Sequence, residues 1–178
     1  MEEPLVIHVN NQDEALGVYP KMYVHEHGIL HRAVSVLIFN SKGEWLMQKR
    51  ASSKYHSGGL WTNACCTHPY PEESSKDAAE RRLIEEMGMR VDLEKQFDFI
   101  YKKSLDKGLI EHEFDHVYMG ISDDAPVLNK DEAEDFTYLS SNDLALSMKI
   151  KPDAYTEWFK ILFPIANQKI NDIKQTVK

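Results

Sequence analysis

The sequence of 178 residues contains two cysteines, eight glycines and no apolar segment long enough to span a bilayer. Its longest apolar run, Ala33–Phe39, includes a serine and is far shorter than the roughly 18 residues that a membrane-spanning helix needs. The opening Met1-Glu2-Glu3-Pro4 lacks the basic and apolar regions of a secretory signal. Cys65 and Cys66 are adjacent, which is unfavourable geometry for a disulfide. These absences predict a protein of a reducing compartment, the cytoplasm, without a membrane partner.

The net charge of −8 argues against nucleic acid or an anionic membrane as the main partner. Residues 1–70 contain six acidic and six basic side chains, so the excess negative charge lies in residues 71–178. The same first segment contains six of the eight histidines. A locally neutral, histidine-rich segment is able to bind a small anionic ligand. The carboxylates of the second segment are equally compatible with a solvated acidic surface.

The composition, 42% hydrophobic and 28% charged, is typical of a globular protein. No repeat or long linker is visible, which predicts one domain over residues 1–178 with an N-terminal strand or arm at about 1–20. Alternating and β-branched residues predict strands at Leu5–Val9, Ala33–Phe39, Glu44–Lys49, Phe97–Lys102, Glu111–Ile121 and Phe136–Leu139, and an extended segment at Trp61–Thr67. The turn at residues 40–43 predicts that the second and third of these strands form a hairpin.

Helices are expected in three segments: from Ser74 or Ser75 to Met87, at Ser141–Ser147 and at Lys151–Lys174. Gly88 is suited to the C-cap of the first helix. Pro164 should kink the last one. Hairpins, one crossover helix and a closing helix predict an α/β fold in which helices cover a mixed sheet.

Cys66 lies two residues before His68 in the segment Trp61-Thr62-Asn63-Ala64-Cys65-Cys66-Thr67-His68-Pro69. A cysteine becomes reactive through thiolate character or a positioned proton partner. The nearby imidazole and the irregular backbone predicted around Pro69 favour a reactive role for Cys66. The alternative is that both cysteines are small buried apolar residues.

Histidine and glutamate side chains form a candidate metal site. Glu111 and Glu113 are two residues apart on a predicted strand and therefore point to the same face, while His112 and His116 point to the other. The candidate ligands are His25, His31, His68, Glu111 and Glu113, with His27 as an alternative to His25. Imidazole and carboxylate ligands suit zinc, manganese or another first-row divalent ion. Lone histidines are more often structural, so the spacing alone leaves that alternative open.

Paired glutamates, Glu85 and Glu86, precede Gly88 at the end of the predicted crossover helix. Carboxylates beside a loop are able to hold Mg²⁺ bound to a phosphorylated ligand. The alternative is a charged solvent-facing surface, which suits Glu80 and Glu85 at least as well.

Two segments, Gly28-Ile29-Leu30-His31-Arg32-Ala33-Val34-Ser35 and Trp61–Pro69, resemble those of type I isopentenyl-diphosphate delta-isomerases, and the resemblance extends from about Leu5 to Trp158. Arg81–Met89 is similar to the end of a Nudix box, Gly-x5-Glu-x7-Arg-Glu-U-x-Glu-Glu-x-Gly-U, where U is aliphatic. Thr67 replaces the first glycine of that box, and Arg82 replaces the glutamate that follows the arginine. The lost carboxylate argues against a Nudix hydrolase, whereas a cation there would help to bind a diphosphate.

The resemblance implies a Nudix-like mixed β-sheet sandwiched by helices and an isomerase that interconverts isopentenyl and dimethylallyl diphosphate. It implies proton transfer by Cys66, Glu113 and Tyr101, and substrate binding by Lys21, Arg50, Lys54, Arg82 and Trp158. It also implies one divalent metal, Mn²⁺ or Zn²⁺ (or Mg²⁺), on His25, His31, His68, Glu111 and Glu113, and Mg²⁺ held by Glu86 through the substrate diphosphate. Spacing alone fits Trp158 equally well to the core. The alternatives are a Nudix-type pyrophosphohydrolase and a catalytically silent metal- or diphosphate-binding module.

Overall fold

The computed structural model describes residues 3–176. Its strands are β1 (Leu5–Val9), β2 (Ala15–Pro20), β3 (His31–Phe39), β4 (Trp45–Arg50), β5 (Trp61–Thr62), β6 (Cys65–Thr67), β7 (Glu94–Ser104), β8 (Ile110–Ile121) and β9 (Ala133–Leu139). Its helices are α1 (Lys21–His27), α2 (Ser75–Met87), α3 (Ser141–Ile150) and α4 (Glu157–Thr176). Short 3₁₀ turns lie at Asp106–Gly108 and Pro152–Ala154.

All nine strands belong to one mixed sheet organised around β3. Strand β3 runs parallel to β8 over its whole length and antiparallel to β6. Strand β7 is the antiparallel neighbour of β8, and β9 is that of β4. The β1–β2 hairpin joins β3 only where His8 pairs with His31.

Helices cover both faces of this sheet, because successive residues of a buried strand point to opposite sides. Val36 and Ile38 of β3 pack with Leu83 of α2 on one face. Leu37 on the other face packs with Phe159 of α4. The predicted sheet between helices is therefore confirmed.

The crossover helix α2 has the local signals that its sequence predicts. The Ser74 hydroxyl accepts a hydrogen bond from the Asp77 N–H at the N-terminus, which satisfies a backbone donor that the helix leaves free. At the other end Gly88 has φ 64°, a left-handed conformation that glycine adopts without steric cost. A Cβ at Gly88 would also lie 2.7 Å from the Val127 carbonyl oxygen.

The predicted β3–β4 hairpin is confirmed, although its ladder is limited to the pair Phe39–Trp45. Two other sequence expectations differ from the structure. The last helix begins at Glu157 rather than Lys151, after the 3₁₀ turn that starts at Pro152, and it continues through Pro164. Strand β2 and helix α1 occupy a segment for which no element beyond β1 is expected.

None of the helices within residues 3–176 has the length and apolar character needed to cross a membrane.

Candidate active site and metal centre

Strand register brings the candidate residues together on the α4 face of the sheet. His31 of β3 lies beside Glu113 of β8, and Tyr101 of β7 lies on the other side of Glu113. Ser35, four residues after His31 on β3, lies beside Cys66 of β6. Residues separated by an even number along a strand share a face, so these side chains all point into the same region.

Five side chains from four segments of the chain converge on one point, because β8 supplies two of them. The ligand atoms of His25, His31, His68, Glu111 and Glu113 all lie within 4.8 Å of one another. The His68 Nε2 atom is 2.9 Å from Glu113 Oε1 and 3.2 Å from His31 Nε2. The His25 Nε2 atom is 3.4 Å from Glu111 Oε2. The structure thus assembles the whole predicted ligand set.

The Nδ1 hydrogen bonds of His25 and His31 indicate the tautomer of each ring and therefore what its Nε2 atom is able to bind. His25 Nδ1 is 2.6 Å from the Lys21 carbonyl, and His31 Nδ1 is 2.8 Å from the Ile29 carbonyl. A carbonyl only accepts, so Nδ1 carries the proton and each Nε2 directs a lone pair inward. His25 Nε2 and Glu111 Oε2 are buried and have no hydrogen-bond partner among the described residues. Inward lone pairs and unpaired buried ligand atoms fit a divalent metal.

Helix α1 directs His25, and not His27, towards the other four ligands of this cluster. Val24 and His25 are buried, and the helix ends at Gly28 with φ 61°. His27 is exposed, lies 2.9 Å from the Tyr23 carbonyl and stacks on the Tyr23 ring. His27 therefore lies outside the cluster.

His112 and His116 lie on the opposite face of β8, as expected. His112 Nδ1 is 2.8 Å from the Gly28 carbonyl, and His116 Nε2 is 2.9 Å from an Asp13 carboxylate oxygen.

The two cysteines point to opposite faces of the sheet. Cys65 is 1% exposed and packs in the apolar cluster beneath α2, so the buried-apolar interpretation holds for it. Cys66 is only partly buried and lines the cavity on the other face.

Polar groups surround the Cys66 sulfur. Its Sγ lies 3.5 Å from Ser35 Oγ and 3.2 Å from Asn63 Nδ2. The Ser35 hydroxyl donates to Asp115 Oδ2 at 2.7 Å. Burial raises the pKa of the Cys66 thiol, and the Asp115 carboxylate adds to that shift, against the opposing hydrogen bonds from Ser35 and Asn63. The thiol is therefore neutral at ordinary pH.

Tyr101 and Glu113 form a buried donor–acceptor pair. The Tyr101 hydroxyl donates to Glu113 Oε2 at 2.7 Å. Burial raises the pKa of Tyr101, and the Glu113 carboxylate raises it further, so the phenol keeps its proton. Burial opposes ionisation of Glu113, but the hydrogen bonds that the carboxylate accepts, including the one from the Tyr101 hydroxyl, outweigh it and lower the pKa of the carboxyl. The pair is thus an ionised carboxylate held by a neutral phenol.

These residues line a cavity of about 260 Å³. All the predicted site residues border it except His31, which lies fully buried behind it. The rim is cationic, with Lys21, Arg50, Lys54 and Arg82. Arg50 Nε is buried without a hydrogen-bond partner among residues 3–176. Burial lowers the pKa of the Lys21 ammonium, while the Glu111 carboxylate opposes that shift.

Glu86, which is 4% exposed, lies at the cationic side of the cavity. Arg82 Nε is 2.5 Å from Glu86 Oε1, and Gln48 Nε2 donates to Glu86 Oε2 at 2.6 Å. Burial raises the pKa of Glu86, and the Arg82 guanidinium opposes that change. Each carboxylate oxygen keeps a further lone pair, so Glu86 is compatible with one additional cation.

The position of Trp158 is compatible with either of its predicted roles, in the core or at the substrate. It is 6% exposed and packs in the apolar cluster beneath α4, yet it also borders the cavity. The Arg50 guanidinium carbon is 5.1 Å from the ring centroid. His56 meets the ring edge-on with centroids 5.7 Å apart. The indole is thus fixed against the cavity wall.

Sequence reasoning missed the residues that hold the cations in place. Glu132 accepts hydrogen bonds from both Lys54 and Arg82, the latter at 2.6 Å. It reaches them because β9 begins beside the end of β4 at Arg50, a pairing without a sequence signal. Glu73 and Arg81, at the glutamate and arginine positions of the box, bind each other through two hydrogen bonds of 2.7 and 2.9 Å.

Comparison with known proteins first defines the class. A family model described as NUDIX domain matches residues 29–159. The chain is similar in fold to the DR0079 protein of Deinococcus radiodurans, with a TM-score of 0.73 at 18% identity over 88% of this chain and 96% of that one. It is also similar to the MutT protein of Methanosarcina mazei, with a TM-score of 0.64 at 20% identity over 79% and 94% of the two chains. The fold and its box define a Nudix-domain protein.

Relatives of higher identity narrow the class further. The Isopentenyl-diphosphate Delta-isomerase 2 of Aromatoleum aromaticum is 48% identical over 88% of this chain and 82% of the relative. The protein of the same name from Photorhabdus laumondii is 43% identical over 99% and 100% of the two chains. The chain belongs to the isopentenyl-diphosphate Delta-isomerase family of Nudix-domain proteins.

Proposed function

We propose that this protein interconverts isopentenyl diphosphate and dimethylallyl diphosphate by proton transfer. The observation that supports this most strongly is the content of one cavity. A neutral thiol, a carboxylate paired with a phenol, a metal-ligand cluster and a cationic rim all border it. The names of the curated relatives support the same reaction.

The cationic rim binds the diphosphate in this proposal. Lys21, Arg50, Lys54 and Arg82 supply charge-assisted hydrogen bonds to the phosphate oxygens, and the planar guanidinium groups are suited to binding them bidentately. The unpaired Arg50 Nε is a donor that a phosphate oxygen would satisfy. Glu132, which binds Lys54 and Arg82, keeps both cations at the rim before substrate enters.

Cys66 and Glu113 exchange protons with the hydrocarbon end. Moving the double bond requires protonation of one carbon and removal of a proton from another, through a tertiary carbocation. Burial keeps the Cys66 thiol protonated, so it is able to donate. The ionised Glu113 is able to accept, and Tyr101 fixes its Oε2.

Trp158 stabilises the intermediate positive charge through its ring face. Such an interaction is worth about 2 kcal/mol or more in a desolvated site. Trp158 is 6% exposed, which provides that desolvation and keeps water from the cation.

Two metal ions complete the proposal. The five-residue cluster would hold Mn²⁺, Zn²⁺ or Mg²⁺, which would polarise the Glu113 carboxylate. Glu86 would hold Mg²⁺ together with the substrate diphosphate. In support, the cluster has the mixed nitrogen and oxygen ligands of a first-row divalent ion, and Glu86 offers a single carboxylate that a phosphate-bound Mg²⁺ is able to use.

We further propose that residues 1–178 act as a single domain in the cytoplasm, with the small diphosphate as partner and without nucleic acid or membrane. The net charge of −8 supports the exclusion of polyanionic partners.

The experiment that tests the function is incubation with isopentenyl diphosphate in D₂O, followed by NMR. We expect dimethylallyl diphosphate, deuterium in the substrate carbons and no released phosphate. Phosphate release without isomerisation would instead indicate a pyrophosphohydrolase. That outcome is disfavoured because Arg82 occupies a box position where those enzymes carry a carboxylate. Binding without turnover would indicate a silent module.

A further inference from the structure

A continuous run of hydrogen bonds connects Trp158 to Cys66 through two residues that do not border the cavity. The Trp158 indole Nε1 donates to Thr62 Oγ1 at 2.9 Å. The Thr62 hydroxyl donates to Asn63 Oδ1 at 2.9 Å. Asn63 Nδ2 then lies 3.2 Å from Cys66 Sγ. Thr62 is 2% exposed and Asn63 is fully buried.

The chemistry of the groups fixes the direction of this run. An indole N–H only donates, so Thr62 must accept from Trp158. The Thr156 hydroxyl, 3.1 Å away, also donates to Thr62 Oγ1. Both lone pairs of the Thr62 hydroxyl are then used, and its single hydrogen is left for Asn63 Oδ1. Each hydrogen-bonding position of this hydroxyl thus has one partner.

The orientation of the Asn63 amide follows from that saturation. With Oδ1 turned to Thr62, Nδ2 must face the opposite side. Its two hydrogens suit the carbonyls of Val36 at 3.1 Å and Cys65 at 2.8 Å, and the Cys66 sulfur is a third acceptor that shares them. The Cys66 thiol in turn donates to Asn63 Oδ1 at 3.4 Å. The amide therefore holds the sulfur at one place in the cavity wall.

The first turn of α4 is fixed to the same point. The Thr156 backbone N–H donates to the Trp61 carbonyl at 3.0 Å, and the Thr156 hydroxyl accepts from the Phe159 N–H at 3.4 Å. Strand β5 thus sets the start of the helix that carries Trp158, while β6, three residues farther along the chain, carries Cys66.

We propose that Thr62 is a positioning residue whose hydroxyl sets the Trp158 ring and, through Asn63, the Cys66 thiol in one fixed relation. The proposal rests on the proposed function, in which the ring stabilises the cation and the thiol transfers the proton. Both act on the same few carbon atoms, so their relative placement decides the rate. A misplacement of about 1 Å in such a site reduces the rate by about 10²-fold.

The test compares two substitutions of one residue. Thr62→Val keeps the size but removes the hydroxyl, and we expect kcat to fall by about 10²-fold. KM and the affinity for inorganic pyrophosphate should change by less than about threefold, because the cationic rim is untouched. Thr62→Ser restores the hydroxyl and should recover most of kcat.

A matched control is available in the same apolar cluster. The Trp45 indole donates to Ser141 Oγ at 2.9 Å, remote from the cavity. Ser141→Ala removes a hydroxyl acceptor from a buried tryptophan and should lower the melting temperature without lowering kcat. A kcat loss common to Ser141→Ala and Thr62→Val would reduce the Thr62 effect to general destabilisation and overturn the proposal.

The remaining outcomes are distinct. An active wild type with an equally active Thr62→Val variant would overturn the positioning role alone. A wild type that does not isomerise would overturn the proposed function, and this role with it. If Thr62→Val does not fold, Trp158→Phe breaks the same bond from the other side. An unchanged kcat in Trp158→Phe would show that the bond is dispensable and overturn the proposal.

Discussion

Exchange of the Cys66 sulfur for oxygen should nearly abolish isomerisation, whereas the same exchange at Cys65 should not. The two residues are adjacent, but Cys66 borders the cavity and Cys65 lies 1% exposed beneath α2. A serine hydroxyl has nearly the size of the thiol and could accept the same hydrogen bond from Asn63. It is a far weaker acid, so Cys66→Ser removes the proton donor and leaves the shape of the cavity.

The size of the effect follows from the role. General acid–base catalysis by one group is worth about 10²–10⁴-fold in rate, and Cys66→Ser should lower kcat by at least that factor. The corresponding increase in the activation barrier is about 3–5 kcal/mol. Cys65→Ser places a hydroxyl in an apolar core, at a cost of about 1–3 kcal/mol if it lacks a partner. Its consequence should be a melting temperature lower by several degrees.

The assay is turnover of isopentenyl diphosphate in D₂O, with the melting temperature and pyrophosphate affinity of each variant measured in parallel. Cys66→Ser should melt like the wild type and bind pyrophosphate normally while its turnover is lost. Cys65→Ser should turn over at the wild-type rate at a temperature where it is folded. If Cys65→Ser were folded but inactive and Cys66→Ser were active, the assignment of Cys66 to the cavity and of Cys65 to the core would be refuted.

Three further predictions concern the metal, the diphosphate and pH. His68→Ala should lose the tightly bound divalent ion, whereas His27→Ala should keep it, as measured by elemental analysis after dialysis; one retained metal per chain in His68→Ala would remove that ligand. Arg50→Ala should weaken the binding of inorganic pyrophosphate about as much as the binding of substrate, as measured by titration in the presence of Mg²⁺. An unchanged pyrophosphate affinity would contradict the assignment of Arg50 to the diphosphate. Burial lowers the pKa of His56 to about 4, and Arg50 adds to that shift. As pH falls below about 6.5 the unfolded chain binds this proton first, so stability should drop by up to about 3 kcal/mol by pH 4. Denaturant unfolding at several pH values should show that the unfolding free energy of His56→Gln falls less between about pH 6.5 and pH 4 than that of the wild type. The same pH dependence in both proteins would contradict this prediction.

The elements that the sequence predicts well are those with strong local signals. Helix α2 has a hydroxyl at its N-cap, a glycine at its C-cap and an apolar stripe that includes Leu83, so its limits are correct to one residue. Strands β3 and β8 are long and rich in β-branched or aromatic residues. Such signals act over a few residues and need no knowledge of the partner.

The missed elements lack those signals. Helix α1 has seven residues, begins after Pro20 without a side-chain cap and carries no acidic residue in its first turn. It is held by tertiary contacts of Val24 and His25, which are buried against the rest of the protein. Strand β2 is exposed along its whole length, so it shows no alternation, and only its pairing with β1 makes it a strand.

The candidate site was predictable by residue type but not by arrangement. The alternation rule places Glu111 and Glu113 on one face, and the structure agrees. It does not indicate that Glu132 binds two of the rim cations, or that Asn63 and Thr62 connect Cys66 to Trp158. Those contacts depend on which strands pair and where α4 begins, and both are decided by long-range packing.

The arginine at position 82 of the box lies at the end of the cavity proposed to bind the diphosphate. The residues proposed to transfer protons lie at a different part of the same cavity. Arg82 lies 2.5 Å from Glu86 and 2.6 Å from Glu132, and Lys54 also binds Glu132, so two protein cations balance two carboxylates at that end of the cavity. A glutamate at position 82 would remove one of these cations and add a third negative charge, which would favour the binding of divalent ions there. With arginine, the same end of the cavity is suited to an anionic diphosphate. The densest ligand cluster lies elsewhere, at His25, His31, His68, Glu111 and Glu113, beside the residues that would move the protons. In the proposed function, the guanidinium at position 82 therefore favours binding of an intact diphosphate over its hydrolysis.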